Sequence, residues 1–404
     1  MSRSDVLRVA GLLLLAVLMM SSYEIARPAA ESLFVGVHGV EDIPKAWLAV
    51  ALGVTLTVMV YNRLVRWLRL DRVYGGAALV SVALLAAIQG VRALELPGYA
   101  YLFYVWKDVY IVVLVEAFWS ISNQLFDLRS ARKLYGLFCA AGSIGAILGA
   151  RLLRWGTGLW GTEDAIWMVA PLLIATSLVA FALGAVTTIP SPKQKEQVDF
   201  GVGLSLLRAS RYLVLLLLLV LVGQVLMNLL DFQFQDITAT AYPDTDERTA
   251  AVSKVYEAIS YGALALQVTT ALVIRLVGVR GVLVGVPALF GAASLALLFS
   301  PAFLVAASAK VTSKVLDYSV FRAAKEMLYL PLTYTEKTQG KALIDILTYR
   351  LAKGGAALLI QALLALGLAA IVAPMSVLFA VCWGVIALLL VRRYRLLTSE
   401  KNSG

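Results

Sequence analysis

Long apolar runs, each interrupted by only a few polar residues, follow one another along almost the whole chain. An α-helix needs about 20 such residues to cross the hydrocarbon core of a bilayer. The pattern therefore predicts an all-α membrane protein with about twelve transmembrane helices. The predicted spans cover residues 6–33, 44–65, 74–92, 101–126, 137–159, 164–188, 211–238, 250–276, 281–300, 302–328, 343–370 and 374–394.

Composition supports this interpretation. Hydrophobic residues make up 61% of the 404 residues, whereas soluble domains are nearer half apolar. The first apolar run follows a basic start, as in a secretory signal, but Glu24 and Arg27 continue the same segment and further spans follow. We interpret this run as an uncleaved first helix. The remaining loops are too short to form a separate soluble domain.

Charge predicts the orientation of the spans. The formal net charge is +10, and basic residues concentrate in alternate loops, as they do on the cytoplasmic side of membrane proteins. We therefore expect a multi-pass membrane protein with both termini cytoplasmic, membrane lipid around it and no nucleic-acid partner. The basic loops contain Arg63, Arg66, Arg69, Arg72, Arg129, Arg132, Lys133, Lys193, Lys195, Arg208, Arg211, Arg392, Arg393 and Arg395, and the opposite loops contain Glu41, Asp42, Glu163, Asp164, Asp244, Asp246 and Glu247.

The chain has one clear linker near its midpoint, where residues 190–203 combine proline, glycine and charge. It predicts an N-terminal six-helix bundle over 1–189, a cytoplasmic linker over 190–210 and a C-terminal six-helix bundle over 211–404. Weak internal similarity supports two pseudo-symmetric halves, since Glu24 and Asp231 are acids at matching depth in spans one and seven. Two such halves around a central cavity are typical of the major-facilitator architecture.

Charged and aromatic residues inside the spans concentrate on spans one, four, seven and ten, which line the central cavity of a major-facilitator fold. A charge facing lipid is costly, so these faces should point into the bundle. The residues are Tyr23, Glu24, Arg27 and Glu31 in span one, Lys107, Tyr110, Glu116, Trp119 and Asn123 in span four, Asn228, Asp231, Gln233, Gln235 and Asp236 in span seven, and Lys310, Lys314, Asp317, Tyr318, Arg322 and Lys325 in span ten.

Two interpretations of these charges remain open. In the first, the charges neutralise one another in structural pairs: Glu24 with Arg27, Lys314 with Asp317, and Lys325 with a neighbouring acid. In the second, surplus cations bind an anion, because lysine and arginine are the usual ligands of phosphate. Interleaved tyrosine and tryptophan rings would then stack on a planar base, so a charged aromatic anion such as a nucleotide suits the set.

Other chemistry has little support in the sequence. His38 is the only histidine, Cys139 and Cys382 are interpreted as packing residues, and no nucleophile, base or metal cluster is visible, so we expect neither an enzyme nor a cofactor. Gly340 and Lys341 resemble the end of a phosphate-binding loop, but alanine follows them where serine or threonine is required, which excludes a Walker-type ATPase. Small residues in span five are predicted to permit close helix packing: Gly142, Gly145 and Gly149.

The stretch from Lys325 to Gln361 resembles the bacterial and plastid ATP/ADP translocases. Members of that family carry a Lys-Glu-Met-Ala-Tyr-Ile-Pro-Leu run, then Lys-Gly-Lys-Ala-Ala-Ile-Asp, then Arg-Leu-Gly-Lys-Ser-Gly. The counterparts here are residues 325–332, 340–345 and 350–354. The segments WSISNQ, residues 119–124, and SSYEIARPAAESLFV, residues 21–35, resemble the family more loosely. Two departures stand out, because Asp231 replaces the usual glutamate and Gln235 the expected lysine, which would remove one phosphate contact.

The resemblance implies a secondary transporter that moves a nucleotide (ATP/ADP-like) or a related organic anion by alternating access, with exchange as the expected mode. Alternatives are a transporter of a different solute, proton-coupled through Glu116 or Asp231, and a non-transporting membrane module that binds a partner or lipid. Residues predicted to bind substrate are Tyr23, Arg27, Lys107, Tyr110, Trp119, Asn123, Lys314, Arg322 and Lys325, and residues predicted to couple or gate are Glu24, Glu116, Asp231, Asp317 and Glu326.

Overall fold

The computed structural model describes residues 3–96, 98–126, 128–187, 189 and 200–402, and all regular elements in these ranges are helices. The α-helices are α1 Arg3–His38, α2 Ile43–Leu64, α3 Leu70–Ala93, α4 Gly98–Leu125, α5 Leu128–Trp160, α6 Thr162–Ala165, α7 Val169–Val186, α8 Phe200–Ala209, α9 Arg211–Ala241, α10 Thr245–Phe299, α11 Phe303–Leu316, α12 Arg322–Met327, α13 Lys341–Ala365 and α14 Val372–Asn402. Short 3₁₀ turns span Ile166–Met168 and Ala369–Ile371, and π-helical turns span Asp317–Phe321 and Glu336–Gly340.

Within the described residues, eight helical segments are long and apolar enough to cross a membrane. They include α1, α2, α3, α9 and the whole of α10, together with most of α5, the α6–α7 segment and most of α14. The prediction of an all-α membrane protein is therefore confirmed. α10 breaks at Gly278, whose φ of +73° lies in the left-handed region, and this break falls between the predicted spans 250–276 and 281–300.

Three local findings add to the sequence analysis. Phe200–Ala209, within the predicted linker, forms a helix, while residues 190–199 of that linker lie outside the described part of the chain. His38, which lies beyond the predicted first span 6–33, is the last residue of α1, and its ring packs against Phe34 with centroids 5.1 Å apart. Cys139 and Cys382, interpreted as packing residues, are both exposed.

The helices group into two compact units, one of residues 1–195 and 239–264, the other of residues 196–238 and 265–404. The first unit is organised around α1, which packs against α4, α5 and α7. The glycines predicted to permit close packing do so, because a Cβ atom at Gly145 or Gly149 would lie 2.3 Å from the carbonyl oxygen of Val17 or Ser21. The Ser21 hydroxyl donates to the Gly145 carbonyl at 2.8 Å, which adds a hydrogen bond to this contact.

The second unit is organised around Trp383 of α14, whose side chain is fully buried. Its indole fills the space left by Gly223 of α9, where a Cβ atom would lie 2.8 Å from the ring. Phe290 of α10 and Phe321 each meet the same indole at 5.2 Å between ring centroids. A buried hydrogen bond of 2.7 Å from Gln233 to Ser376 also joins α9 and α14. The packing of Trp383 against Gly223 is therefore a central contact in the core of this unit.

The α1–α5 contact predicts that Gly145→Ala destabilises the protein, because the new methyl group meets rigid backbone rather than a flexible side chain. We expect a loss of about 1–3 kcal/mol, the usual range for overpacking, measured as a lower midpoint of thermal unfolding in detergent. Gly158→Ala in the same helix is the matched control, since a Cβ atom there has open space around it. A loss as large at Gly158 would contradict this account of the contact.

Candidate functional site

Arg27 of α1 is held by an acid and two aromatic rings. Its guanidinium donates to Glu24 at 2.5 Å, which confirms the pair predicted from their three-residue spacing. The guanidinium carbon also lies 3.6 Å from the centroid of the Tyr256 ring and 5.0 Å from that of Tyr23. Tyr256 in turn donates its hydroxyl to Glu31 at 2.8 Å. Arg27 is therefore clamped in place rather than extended into open space.

Lys107 of α4 lies in a second buried pair of the same unit. Its ammonium is 2.9 Å from Asp108, which also accepts a hydrogen bond of 3.3 Å from the Tyr23 hydroxyl. Tyr110, one turn further along α4, lies 3.4 Å from the Ser22 hydroxyl. Tyr23, Lys107 and Tyr110 are thus brought together as predicted. Asp108 was missed by the sequence analysis, because a neighbour in sequence was not expected to share a face with Lys107.

The remaining predicted residues of α4 lie at a different level. Trp119 is twelve residues beyond Lys107, or about 18 Å along a helix axis, and its ring packs edge-on against Tyr135 at 5.1 Å. The Tyr135 hydroxyl donates to the Asn123 side chain. Glu116 is exposed, and it has no ion pair within 4.0 Å among the residues that the structure describes. The structure therefore does not join Trp119, Asn123 and Glu116 to the Lys107 group.

In the second unit, one carboxylate is shared by two lysines. Asp231 of α9 lies 2.7 Å from the ammonium of Lys310 and 3.2 Å from that of Lys314, both of α11. The predicted pair of Lys314 with Asp317 is therefore wrong, because Asp231 is the nearer acid although it is distant in sequence. The lysine at 310 is 2% exposed and was left out of the predicted site. The triad carries one more positive than negative charge.

A small cleft of about 50 Å³ is lined by residues of the π-helical turn Asp317–Phe321, which follows Lys314 in sequence. A π-helical turn is rare and often marks a functional position. Three predicted residues, Asp317, Arg322 and Lys325, line the cleft on one side and Gln224 of α9 lines the other. Arg322 forms no ion pair within 4.0 Å in the described ranges. The cleft therefore presents cationic groups together with a single acid.

Lys325 begins the stretch that resembles the translocases. Its ammonium lies 3.3 Å from Asp345 of α13, so the neighbouring acid predicted for it is Asp345. Glu326 pairs instead with Lys341 at 2.5 Å. Between these two pairs the chain leaves helical structure after Met327 and re-enters it through a second π-helical turn, Glu336–Gly340, before α13 begins. We call residues 328–340 the excursion. The two ion pairs join the segments on either side of it.

Tyr329 occupies the inside of the excursion. Its ring lies 5.2 Å from the Lys341 ammonium. Burial, with smaller contributions from Asp345 and Glu326, raises the pKa of its hydroxyl above the usual value, so Tyr329 stays neutral at physiological pH. The Tyr212 hydroxyl of α9 also donates to the carbonyl of Leu328 at 2.7 Å. The excursion is therefore an ordered part of the second unit.

A further ionic contact in the first unit was not predicted. Glu257 of α10 accepts from Arg151 at 2.7 Å and also pairs with Arg154, both of α5. Nearby, Arg248 donates to the carbonyl of Ser32 at 2.8 Å. The sequence shows two arginines on one face of α5, but their partner is more than a hundred residues away, and no local pattern connects them. Among the described residues no group of His, Cys, Asp or Glu side chains is arranged to hold a metal ion.

Comparison with known proteins decides the family. The profile of the family described as TLC ATP/ADP transporter matches residues 165–398, which is more than half of the chain. The chain belongs to the TLC ATP/ADP transporter family. The resemblance seen in residues 325–361 is thereby confirmed, and the match extends well beyond that stretch. The excursion, the cleft and the Asp231 triad all lie within the matched residues.

Individual relatives of this TLC family member are distant. ADP,ATP carrier protein 1 of Chlamydia muridarum is 26% identical over 65% of this chain and 58% of its own length. ADP,ATP carrier protein 1 of Chlamydia pneumoniae is 24% identical over 85% of this chain and 82% of its own length. ADP,ATP carrier protein 1, chloroplastic, of Arabidopsis thaliana is 26% identical over 64% and 48%. For the Chlamydia muridarum and Arabidopsis thaliana proteins, the matched part is therefore about half of the relative.

Solved structures support the fold of the TLC family member. A mutant of the nucleoside transporter NupG has a TM-score of 0.74 at 11% identity and covers 95% of this chain and 99% of its own. A bacterial homologue of the iron transporter ferroportin has a TM-score of 0.67 at 12% identity, covering 96% and 99%. These structures are major-facilitator-like, and at such low identity they show the fold alone.

The triad predicts that Asp231→Asn destabilises this TLC family member strongly. The substitution leaves two nearby lysines, one of them buried, without the carboxylate that they share. Breaking a buried ion pair in this way costs about 3–5 kcal/mol, measured as a drop in unfolding free energy in mixed detergent micelles. Glu326→Gln is the matched control, because its pair with Lys341 is partly exposed and contributes about 0–1 kcal/mol. Equal losses in the two variants would contradict the assignment.

Proposed function

We propose that the protein is a secondary transporter of a nucleotide (ATP/ADP-like) or a related organic anion, working by alternating access and by exchange. We further propose that twelve helices in two pseudo-symmetric halves cross the inner membrane, with both termini cytoplasmic. The observation that carries the proposal is the position of the family's most specific stretch. It begins at Lys325, in a cleft of cationic side chains within a chain of the TLC ATP/ADP transporter family.

Phosphate binding is assigned to the cations of the second unit. Lys314 lies on α11, and Arg322 and Lys325 lie on α12, which follows the π-helical turn. Arginine offers phosphate a two-pronged donor, while lysine offers a compact charge. Of these, Arg322 is the strongest candidate because no carboxylate in the described chain lies within 4.0 Å of it. Lys325 would exchange its Asp345 partner for a phosphate oxygen. The cleft, at about 50 Å³, would admit a phosphate group rather than a whole nucleotide.

Base recognition and gating are assigned to the first unit. Tyr23 and Tyr110 meet edge-on at 6.5 Å between ring centroids. Tyr23 is partly accessible and would stack on a planar base, whereas Tyr110 is buried against Trp106 and would support it from behind. Arg27 and Lys107 are both paired with acids in this conformation. They would bind phosphate only after these ion pairs open. Glu24 and Asp108 would hold these two cations while no substrate is bound. In the second unit, Asp231 would hold Lys310 and Lys314 in the same way. Trp119, Asn123 and Glu116, about 18 Å from Lys107 along α4, would act at another stage of the cycle.

Ion pairing also supports exchange as the mode. A cation in a low-dielectric interior needs a counter-charge, and here each carboxylate partner occupies the place that a phosphate would take. Substrate binding would release a carboxylate, and substrate departure would restore the pair. A carrier that must open these pairs is helped by substrate on both faces of the membrane, which favours exchange over net uptake.

One observation favours a second candidate, a proton-coupled transporter of a different solute. Glu116 is exposed and without an ion pair in the described chain, so it is a carboxylate that a proton could reach. Asp231, the other acid considered for this role, is held by two lysines and is less suited to release and take up protons. A non-transporting membrane module remains the third alternative, and an absence of any uptake would favour it.

Reconstitution distinguishes these functions. Proteoliposomes loaded with ADP should take up labelled ATP several times faster than empty ones, because exchange needs an internal partner. Unlabelled nucleotides should compete, and an imposed pH gradient without internal nucleotide should give no accumulation. Uptake that follows the pH gradient and is indifferent to nucleotides would replace the exchanger with the proton-coupled alternative.

Lys325→Ala should lower nucleotide exchange at least tenfold, because the loss of one charge-assisted hydrogen bond to phosphate corresponds to about 1.5–3 kcal/mol. The protein should still fold, since Asp345 is partly exposed and tolerates the loss of its partner. Lys45→Ala is the matched control, removing an equally paired cation at the exposed start of α2. Unchanged exchange in Lys325→Ala vesicles, at equal protein content, would remove this lysine from the site.

A further inference from the structure

Four arginines line one groove of the second unit that the proposed transport does not use. The groove has a volume of about 460 Å³, a size typical of small-molecule sites. Its walls are the end of α8, the first turn of α9 and the last part of α14. We call it the arginine groove and define it by its lining residues, Leu207, Arg208, Arg211, Val214, Leu215, Leu389, Arg392, Arg393 and Leu396.

Within the described residues, the guanidinium groups of this groove have no carboxylate at ion-pair distance. Arg208, Arg211, Arg392 and Arg393 are all exposed, and none forms an ion pair within 4.0 Å in the part of the chain that the structure describes. Elsewhere in those ranges, cations such as Arg92, Arg151 and Lys341 do meet a carboxylate. Four like charges around one groove repel one another unless an anion neutralises them. The positive charge of the groove therefore suits a ligand that carries more than one negatively charged oxygen.

The other five lining residues of the groove are apolar. Leu389 and Leu396 of α14 are 45% and 57% exposed, and Val214 of α9 is 37% exposed. The apolar run of α9 begins just after Arg211, and that of α14 ends just before Arg392. Cations and exposed leucines therefore meet at the boundary between the apolar and polar parts of both helices. A small hydrophilic anion would satisfy the arginines and leave the leucines uncovered.

We propose that the arginine groove binds an anionic phospholipid. Its phosphate would accept hydrogen bonds from the arginines, which match phosphate with two-pronged donors, and an acyl chain would lie along the leucines. Basic pockets between membrane helices are known to suit the head groups of such lipids. The doubly charged diphosphatidylglycerol is the best candidate, because two phosphates divide four arginines between them. The site is separate from the cleft at Lys325, and its occupation does not depend on the transported substrate.

Native mass spectrometry of the full chain in detergent tests this inference. Diphosphatidylglycerol should bind more tightly than phosphatidylglycerol, and phosphatidylcholine should bind weakest. Arg392→Gln/Arg393→Gln and Arg208→Gln/Arg211→Gln should each weaken diphosphatidylglycerol binding by roughly fivefold for every arginine removed. Excess inorganic phosphate should not displace the lipid.

The matched control is Arg63→Gln/Arg66→Gln. It removes two exposed arginines, one in the last turn of α2 and one just after that helix, that also lack an ion pair among the described residues but lie in the other unit. Lipid affinity should change less than twofold in this control. Equal weakening in control and groove variants would show a general effect of net charge and overturn the proposal. No preference for anionic lipid, or full displacement by phosphate, would overturn it as well.

A conservative pair keeps the test open if the glutamine variants do not fold. Arg392→Lys/Arg393→Lys retains both charges but loses the two-pronged donors. It should weaken binding of diphosphatidylglycerol severalfold while leaving the thermal unfolding midpoint of lipid-free protein unchanged. Unaltered lipid affinity in this variant would contradict direct contact between arginine and phosphate.

Discussion

The cost of a charge in a low-dielectric interior governs the arrangement of this protein. Lys107 and Lys310 are buried and Arg27 is partly buried, and each lies within about one hydrogen-bond length of a carboxylate. The pairs of Arg27 and Lys107 lie within α1 and within α4, whereas the contacts of Asp231 with Lys310 and Lys314 join α9 to α11. In the transport that we propose, a phosphate would replace a carboxylate partner without leaving the cation unpaired. The same residues would then contribute to stability and to substrate binding.

The two units divide the charges unequally. In the first, Arg27 and Lys107 are matched by Glu24 and Asp108. In the second, Asp231 serves two lysines, and Arg322 has no acid within ion-pair distance in the described residues. Positive charge in excess therefore belongs to the second unit, which also carries the family's most specific stretch and both π-helical turns. The aromatic faces, in contrast, gather in the first unit around Tyr23 and Tyr110.

Sequence alone predicted the helical class and the Glu24–Arg27 pair, since both follow from short-range periodicity. The break near residue 278 was also predictable, because polar and glycine residues interrupt the apolar run there. Long-range contacts were not. The preference of Lys314 for Asp231 over Asp317 depends on how α9 meets α11, and the Arg151–Glu257 contact joins residues 106 apart. The helix α8 inside the predicted linker was not foreseen, because a ten-residue segment next to a proline- and charge-rich stretch carries too little periodicity to stand out.

The π-helical turn Asp317–Phe321 has a mechanical consequence. Such a turn contains one residue more than an α-helical turn, and each residue of an α-helix advances the chain by about 100° of rotation. If the surplus residue passed toward either end, the side chains on its path would rotate by that angle while the flanking helices kept their axes. Lys314 lies before the turn and Lys325 after it. If the surplus residue passed either lysine, the direction of the Lys314 side chain relative to that of Lys325 would change by about 100° without a hinge in the backbone.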